Sequence, residues 1–266
     1  MKDLTITSLE TITGFGITSG EYLFTLDELQ SASIAQSEEK TDITGKQGRK
    51  LSTLKRNKAV TVSGANGLVS GGLIEMQTGS TFANKATKVM WTDYITVNTT
   101  DGTKTTYVAV GTAGAEITGL YKRNSDGTLG SEFVQVASSP TTGKFTYDPT
   151  TKALGFYSGD VTTGDELVAF YQRNITADVL ENKSDVYSSK CSLYIDALAE
   201  DKCANVYRVQ FYIPKADFSG EFTLEMGDNQ TVHNFEADAL AGACGTSGAF
   251  WTYTVFGANT ADTPVA

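Results

Sequence analysis

The chain has 266 residues, a formal charge of -10 and an isoelectric point near 4.6. This acidic balance argues against a protein that holds nucleic acid through its phosphates, because that task needs a basic face. Residues 1–20 contain no basic cluster followed by an apolar block, and no apolar run approaches the roughly 18 residues of a membrane span. We therefore expect a soluble protein that is neither exported nor inserted into a membrane.

The residue types favour a β-rich fold with many tight turns. The chain has only four prolines, it has 26 glycines, and Thr and Ser are frequent. Its three cysteines, Cys191, Cys203 and Cys244, are odd in number and irregular in spacing. We interpret them as buried thiols, with one disulfide as the alternative.

The first part of the chain predicts an arm, a short helix and a pair of extended segments. Residues 1–24 are Thr-rich and weakly patterned, which is typical of an arm or a first strand. Thr25-Leu26-Asp27-Glu28 has the form of a capping box and predicts a helix over residues 26–37. Residues 41–62 contain two extended pieces that flank a basic middle.

That basic middle gathers six of the 21 basic residues of an otherwise acidic chain. They are Lys46, Arg49, Lys50, Lys55, Arg56 and Lys58. One interpretation is a solvated hairpin or loop. The other is a patch that docks on an acidic surface of another copy, since opposite charges steer association and fix its register.

A second helix and a β meander are predicted next. Asn66 is predicted to cap a helix over residues 67–77, which Gly79 ends. Seven strands are predicted after it, separated by turn sequences such as Asp101-Gly102. They cover residues 91–97, 105–110, 117–123, 132–136, 144–147, 153–157 and 167–173.

The C-terminal third contains the clearest strand pattern. From Tyr207 to Ile213 apolar and polar residues alternate, and Pro214 is expected to end this strand. A second strand alternates Glu221, Thr223 and Glu225 with apolar residues, so residues 205–227 predict a hairpin with an acidic face. The other expectations are a polar link (174–184), a strand (186–195), a helical turn (236–240), a last strand (250–256) and a loose tail (258–266).

Catalytic and metal-binding patterns are weak. His233 is the only histidine, and we expect it to be a satisfied surface or core residue and not a catalytic one. A zinc site from the three cysteines and His233 would lack the paired ligand spacing of such sites. The glycines of residues 64–72 do not have the spacing of a phosphate loop and are expected to allow close packing. The sequence predicts no enzyme, no cofactor and no metal.

The order of these segments resembles the major tail tube proteins of long-tailed bacteriophages. The resemblance spans roughly the whole chain and is carried by four phrases: residues 44–49 (TGKQGR), the helix at 66–79 ending in QTG, residues 145–157 (FTYDPTTKALGFY) and residues 212–222 (YIPKADFSGEF). It implies a mainly β protein, a tail-tube-like sandwich or barrel with one or two short flanking helices and a further β-rich elaboration. The core would comprise residues 1–91 and 176–266, and the elaboration or outer subdomain residues 92–175.

The resemblance also implies a function in the virion tail. Hexameric rings would stack into a tube that conducts the genome, after synthesis in the host cytoplasm. The implied partners are other copies, a tape measure protein, a tail terminator and baseplate or tip proteins. Whether a contractile sheath surrounds the tube stays open. DNA would pass without specific binding.

An acidic channel wall would let DNA slide, because contacts between phosphates and Lys or Arg would hold it. The candidates for this wall are Glu221, Glu225 and Asp228, with an outer solvated face as the alternative. The six basic residues are the candidates for contacts between subunits or rings. Sheet edges could pair between copies for the same purpose.

Two other functions remain open at this stage. One is another virion component, a capsid or decoration protein, which closed shells or decorated heads would distinguish. The other is a carbohydrate- or cell-binding β module, because Tyr and Trp side chains can stack on sugars. Glycan binding by a soluble monomer would favour the carbohydrate- or cell-binding module.

Overall fold

A computed structural model describes residues 3–225, 232–241 and 248–257. Within these ranges the chain forms sixteen strands and one α-helix, which confirms the mainly β class. No helix in the described ranges combines the length and the apolar character that crossing a membrane requires. The chain divides into two compact units, unit 1 (1–82 and 180–266) and unit 2 (83–179).

The first half of the elements, in chain order, are β1 (Leu4–Phe15), β2 (Tyr22–Leu26), β3 (Leu29–Thr44), a 3₁₀ turn (Lys46–Gly48), β4 (Lys50–Asn66), α1 (Gly71–Thr78), β5 (Ala83–Thr96), β6 (Thr103–Lys104), β7 (Ile117–Arg123) and β8 (Leu129–Gln135). The remaining elements are β9 (Lys144–Asp148), β10 (Ala153–Phe156), β11 (Glu166–Val179), β12 (Lys190–Asp201), β13 (Val206–Phe218), β14 (Leu224–Glu225), β15 (Val232–Ala239) and β16 (Thr252–Gly257).

Unit 1 is built on a nine-stranded antiparallel sheet. Its main path runs β2-β1-β12-β13-β15-β4-β3, while β16 pairs with β13 and β14 pairs with β15. One face of this sheet and α1 enclose the core of the unit. Fully or almost fully buried members of this core are Ile12, Leu26, Val62, Leu73, Leu193, Ile213 and Phe235.

β3 and β4 form a long hairpin, and the predicted helix over residues 26–37 was wrong. Thr25-Leu26-Asp27-Glu28 spans the end of β2 and the turn into β3. β3 pairs with β4 from Leu29 to Thr44, with Ile34 opposite Val62. The helical signal was weak because its apolar face was thin, and the cross-strand partners that decide between helix and strand lie some thirty residues away.

The helix is shorter than predicted but ends where expected. It begins at Gly71, and its N-cap is Ser70, whose hydroxyl accepts a hydrogen bond from the amide of Leu73. Asn66 is the last residue of β4 and not a cap. Gly79 ends the helix in the left-handed conformation. A Cβ at Gly72 would lie 2.8 Å from the carbonyl oxygen of Leu23, so this glycine allows α1 to approach β2 closely.

Pro214 does not end its strand. β13 continues to Phe218, and Ile213 and Ala216 pair with Leu193 and Cys191 across a β-bulge. Two residues of β13, Pro214 and Lys215, therefore face one residue of β12. A bulge tolerates proline because its missing N–H falls where the ladder is already interrupted.

The predicted hairpin of residues 205–227 was also wrong in its pairing. β14 is only two residues long and pairs with β15, while the described partners of β13 are β12, β15 and β16. The helical turn predicted at residues 236–240 belongs to β15 instead. The strand predicted over residues 186–195 begins at Lys190 and continues to Asp201, and the last strand is Thr252–Gly257. The predicted tail, 258–266, lies outside the described residues.

Unit 2 is a seven-stranded sheet with the order β5-β11-β7-β8-β9-β10-β6. It has its own core, which includes Ile95, Leu120, Phe145, Leu167 and Tyr171. Six of the seven strands predicted here exist, although β5 and β11 are each longer than predicted. The polar link was wrong for residues 174–179, because β11 pairs with β5 as far as Val179.

The segment 105–110, predicted as a strand, is instead held by side chains. The amide and hydroxyl of Thr106 donate to the carboxylate of Asp93, over 2.6 and 2.8 Å. The hydroxyl of Tyr171 donates to the same carboxylate and accepts from the amide of Tyr107. Burial, and then the nearby Asp93 carboxylate, raise the pKa of Tyr171 and keep it protonated as a donor.

The boundaries predicted for the two parts of the chain, after residues 91 and 175, fall inside β5 and β11. The contact-based boundaries lie where these two strands begin and end, at residues 83 and 179. Both strands belong to unit 2, where they pair with each other over fourteen residues. That residues 92–175 form an elaboration or outer subdomain stays a prediction.

Candidate assembly surfaces and channel face

His233 is a satisfied core residue, as predicted. It is fully buried, its Nε2 donates to Oε1 of Gln77 over 2.8 Å, and its Nδ1 accepts from the amide of Ser70 over 3.3 Å. Gln77 in turn donates to the carbonyl of Asn234. These bonds tie both ends of α1 to β15, so the neutral imidazole has a structural role here.

This arrangement predicts a pH-dependent stability. Burial lowers the pKa of His233 in the folded state, so the unfolded chain binds more protons just below the ordinary histidine value. The free energy of unfolding should therefore fall as pH decreases from about 7.5 to about 5.5, around the ordinary histidine pKa. His233→Gln should remove this slope, because the chain has no other histidine. Urea unfolding at several pH values measures it, and an unchanged slope in the variant would contradict the assignment.

The two described cysteines, Cys191 and Cys203, lie in different environments. Cys191 is buried, and burial raises the pKa of its thiol to about 12, so it stays protonated at neutral pH. Cys203 is exposed and free, which contradicts its prediction as a buried thiol. No cluster of His, Cys, Asp or Glu in the described ranges could hold a metal ion. Cys244 lies outside them.

The six basic residues lie on the outer half of the β3–β4 hairpin, and all six are exposed. We call this half, residues 37–59, the distal hairpin. Lys50 pairs with Asp42 over 2.7 Å and Lys55 with Glu38 over 3.1 Å, while Lys58 lies over the ring of Phe250. Lys55 and Lys40 lower the pKa of Glu38. The distal hairpin has seven basic and three acidic residues, so it is a basic projection of an acidic chain.

The distal hairpin also exposes apolar side chains. Every residue of β3 from Ala35 to Thr44 is exposed, and so is every residue of β4 from Lys50 to Ala59 except Thr53. Ile43, Leu51 and Leu54 are 49%, 68% and 46% exposed. A two-stranded ribbon with both faces in water is marginally stable by itself. The distal hairpin therefore presents both charged and apolar side chains to solvent.

The sheet of unit 1 has a polar surface opposite its core. Along β15, His233, Phe235, Ala237 and Ala239 are buried, while Asn234, Glu236 and Asp238 are exposed. Neighbouring strands place further polar side chains on this surface, as in the bonds Thr61 to Asp238 and Gln210 to Asp196. We call this surface the acidic face and define it by Asp196, Asp217, Glu225, Glu236 and Asp238.

Among the residues predicted for a channel wall, the structure places Glu225 on this face. Leu224 lies opposite the buried His233, so the next pair, Glu225 and Val232, points to the opposite side of the sheet. Glu221 is exposed but lies in the segment before β14, outside the sheet. Asp228 lies outside the described residues. The structure does not bring these acidic residues and the basic segment together in one site.

Sequence reasoning missed Asp196, Asp217, Glu236 and Asp238 as members of one surface. The signal was present in residues 233–239, which alternate between apolar or neutral and polar side chains. The sequence analysis predicted a helical turn over residues 236–240 of this stretch. Recognising the alternation would have predicted β15 and its acidic side.

A family model, described as the YomU/Tube protein family, matches residues 5–253 of this chain. No curated protein matches the chain. The family match covers nearly the whole sequence and includes both units. Its description indicates a structural tube protein.

Proposed function

Since the chain belongs to the YomU/Tube protein family, we propose that it is the major tail tube protein of a long-tailed phage and that it polymerises into stacked hexameric rings. The observation that carries this proposal is the distal hairpin, whose two faces are exposed and which combines basic and apolar side chains. A monomer leaves such a ribbon unsupported. An assembly of identical copies covers it.

Free strand edges support the same proposal. β2 and β3 end the main path of the unit 1 sheet, and β3 extends over sixteen residues with β4 as its described partner. A long free edge normally has to be protected against aggregation. A ring-forming protein uses such an edge productively, since a head-to-tail contact between copies closes into a ring.

The acidic face is the proposed channel wall. Its five carboxylates outnumber the cations on the same surface, which include Lys190 and the exposed Arg208 of β13. Lys190 is paired with Asp217 over 3.1 Å. A wall of this sign repels DNA and keeps it mobile in the channel. This proposal retains Glu225 from the predicted wall and adds Glu236 and Asp238. Glu221, in the segment before β14, remains a candidate at its margin, and Asp228 remains a candidate that lies outside the described residues.

Charge reversal on the wall is expected to slow genome release. In particles assembled with Glu225→Lys and Glu236→Lys, DNA should leave several-fold more slowly, because each new cation can bind a phosphate. The delay should shrink as salt increases, since the contacts are electrostatic. Fluorescence of released DNA after triggering measures the rate at several salt concentrations.

A matched control uses Glu21→Lys and Asp185→Lys, two exposed carboxylates outside the sheet that give the same change in net charge. These particles should release DNA at the normal rate. A normal rate in the Glu225 and Glu236 variant, with intact tubes, would remove the acidic face from the channel. A variant with Glu221→Lys alone tests in the same assay whether Glu221 contributes to the channel wall.

Assembly itself provides the direct test of the proposed function. The purified full-length chain should sediment as long polymers above a threshold concentration, and negative-stain images should show hollow tubes. The expected virion partners are a tape measure protein, a tail terminator and baseplate or tip proteins, which would stop or start these polymers. A chain that stays monomeric at all concentrations, alone and with these partners, would contradict the proposal.

A further inference from the structure

The sheet of unit 1 has two edges that approach each other without pairing among the described strands. β12 pairs with β1 along its length, but β2 pairs with β1 only from Ile12 to Phe15. Residues 4–11 of β1 therefore have no described strand partner on this edge. β3 pairs with β4, and its outer edge has no strand partner among the described residues.

A cavity of about 590 Å³ lies between these two edges. Ile6 and Leu9 of β1 line one side, Ile34 of β3 lines another, and Phe211 and Trp251 lie at its base. Four of these five side chains pack against the core of the unit, while Ile6 is 54% exposed. We call this cavity the apolar seam. Counting only residues 3–82, 180–225, 232–241 and 248–257, the core of the unit is incompletely covered at this place.

We propose that the apolar seam receives the distal hairpin of a second copy. This inference rests on the proposed tube and names the surface that the hairpin contacts. Ile43 and Leu54 are diagonal neighbours on one face of the ribbon, since Leu54 lies opposite Thr41 and Ser52 lies opposite Ile43. They form a compact apolar pair that can pack against the apolar side chains lining the seam.

Charge complementarity supports a second copy as the occupant. The distal hairpin has a formal charge of +4 from seven basic and three acidic residues, and the whole chain has -10, so the remainder carries -14. Three carboxylates lie close in sequence to residues that line the seam, Glu10 on β1 and Asp27 and Glu28 just before β3. The basic side chains around Ile43 and Leu54 are opposite in charge to these carboxylates, so the two surfaces attract each other.

The backbone can contribute to the same contact. Among the described residues, β4 pairs with β15 only from Val60 to Asn66, so the outer part of the ribbon has no further described strand partner on either edge. The outer edges of β1 and β3 beside the seam likewise have no described strand partner. Addition of a strand at such an edge gives affinity through main-chain hydrogen bonds, while side-chain pockets give specificity.

The hairpin cannot fill the seam of its own copy by a small rearrangement. Ile34 pairs with Val62, and Leu54 lies eight residues before Val62 in the same strand. Eight residues of a strand extend about 26 Å. A disulfide requires Cα atoms within about 7 Å of each other, so a bond between positions 34 and 54 reports a contact between copies.

Disulfide trapping tests the inference. In a background of Cys203→Ser and Cys244→Ser, one chain carries Leu54→Cys and another carries Ile34→Cys. The two are mixed before assembly and the polymers are then oxidised. We expect most Leu54→Cys chains to run as a dimer on a non-reducing gel, and this band to disappear with reductant.

The matched control replaces Ile34→Cys by Asn234→Cys, an exposed position on the acidic face, and should give no dimer. Two outcomes would overturn docking into the seam without affecting the proposed tube. Tubes could form with no disulfide between positions 54 and 34, or the disulfide could form with position 234 instead. A parent chain that forms no tubes would overturn both proposals.

A second variant tests the seam without new cysteines. Ala32→Trp places a large side chain at the seam, where Ala32 is half-buried. We expect polymer yield to fall strongly while the melting temperature of the monomer stays close to that of the parent. Unchanged polymer yield would contradict the inference.

Discussion

Reversing the charge of the distal hairpin is expected to abolish tube formation while each copy stays folded. The variant carries Lys46→Glu, Arg49→Glu and Arg56→Glu, three exposed positions near the tip and along the outer half of the ribbon. Exposed substitutions of this kind usually change stability by less than about 0.5 kcal/mol each. The contact with an acidic neighbour would become repulsive, so polymers should be lost at concentrations at which the parent assembles fully.

Sedimentation and negative-stain imaging measure the polymer, and circular dichroism measures the fold. The matched control is Lys88→Glu, Lys104→Glu and Lys144→Glu, three exposed lysines of unit 2 that change the net charge equally. This control should assemble as the parent does. Normal polymers from the hairpin variant would show that the basic segment makes no essential contact, and the solvated interpretation would then hold.

Removing the carboxylate of Asp93 is expected to destabilise unit 2 strongly. This side chain is 5% exposed and accepts three hydrogen bonds, from the amide and hydroxyl of Thr106 and from the hydroxyl of Tyr171. Asp93→Ala leaves these donors without their partner, at a cost of about 1–3 kcal/mol for each one that water cannot reach. We expect a total loss of about 3 kcal/mol or more in the free energy of unfolding.

Chemical denaturation of the full chain, followed by the fluorescence of Trp91 in unit 2, measures this loss. Hydrogen exchange should also show faster exchange of the amides of Thr106, Tyr107 and Ala109, which the network holds. Thr92→Ala, at the exposed neighbouring position of β5, is the control and should change stability little. An Asp93→Ala protein as stable as this control would contradict the role of the network.

The strands of unit 2 were largely predictable because their signals are local. Each hairpin has turn residues at its tip and alternation on both sides, so six of seven strands were found. Segment 105–110 has the same composition as a strand, but three of its amides donate to the side chains of Asp93, Tyr147 and Tyr171, which lie 13 to 64 residues away in the chain. Composition does not reveal such side-chain contacts.

Unit 1 was harder to predict because its strands depend on distant partners. β3 pairs with β4, whose other partner β15 lies about 170 residues further along the chain. Without those partners, residues 26–37 and 236–240 look helical. Pro214 is a strong local signal to end a strand, and the bulge that accommodates it involves Ser192 of another strand. Long-range pairing overrode the local preference in each case.

The candidate surfaces were predictable to different extents. The basic segment was found from its charge, and all six side chains are exposed in the structure, while their contact with another copy stays a prediction. Its apolar members, Ile43, Leu51 and Leu54, could not be recognised as exposed from sequence alone. The acidic face combines residues from four strands, so only Glu225 was identified before the pairing of β14 with β15 was known.

Electron cryomicroscopy of the polymer at side-chain detail tests whether this chain forms a tube from identical copies. We expect stacked hexameric rings around a channel lined by the acidic face, with the distal hairpin of one copy contacting the next. Polymers without a channel, closed shells, or rings in which the distal hairpin stays in solvent would contradict it.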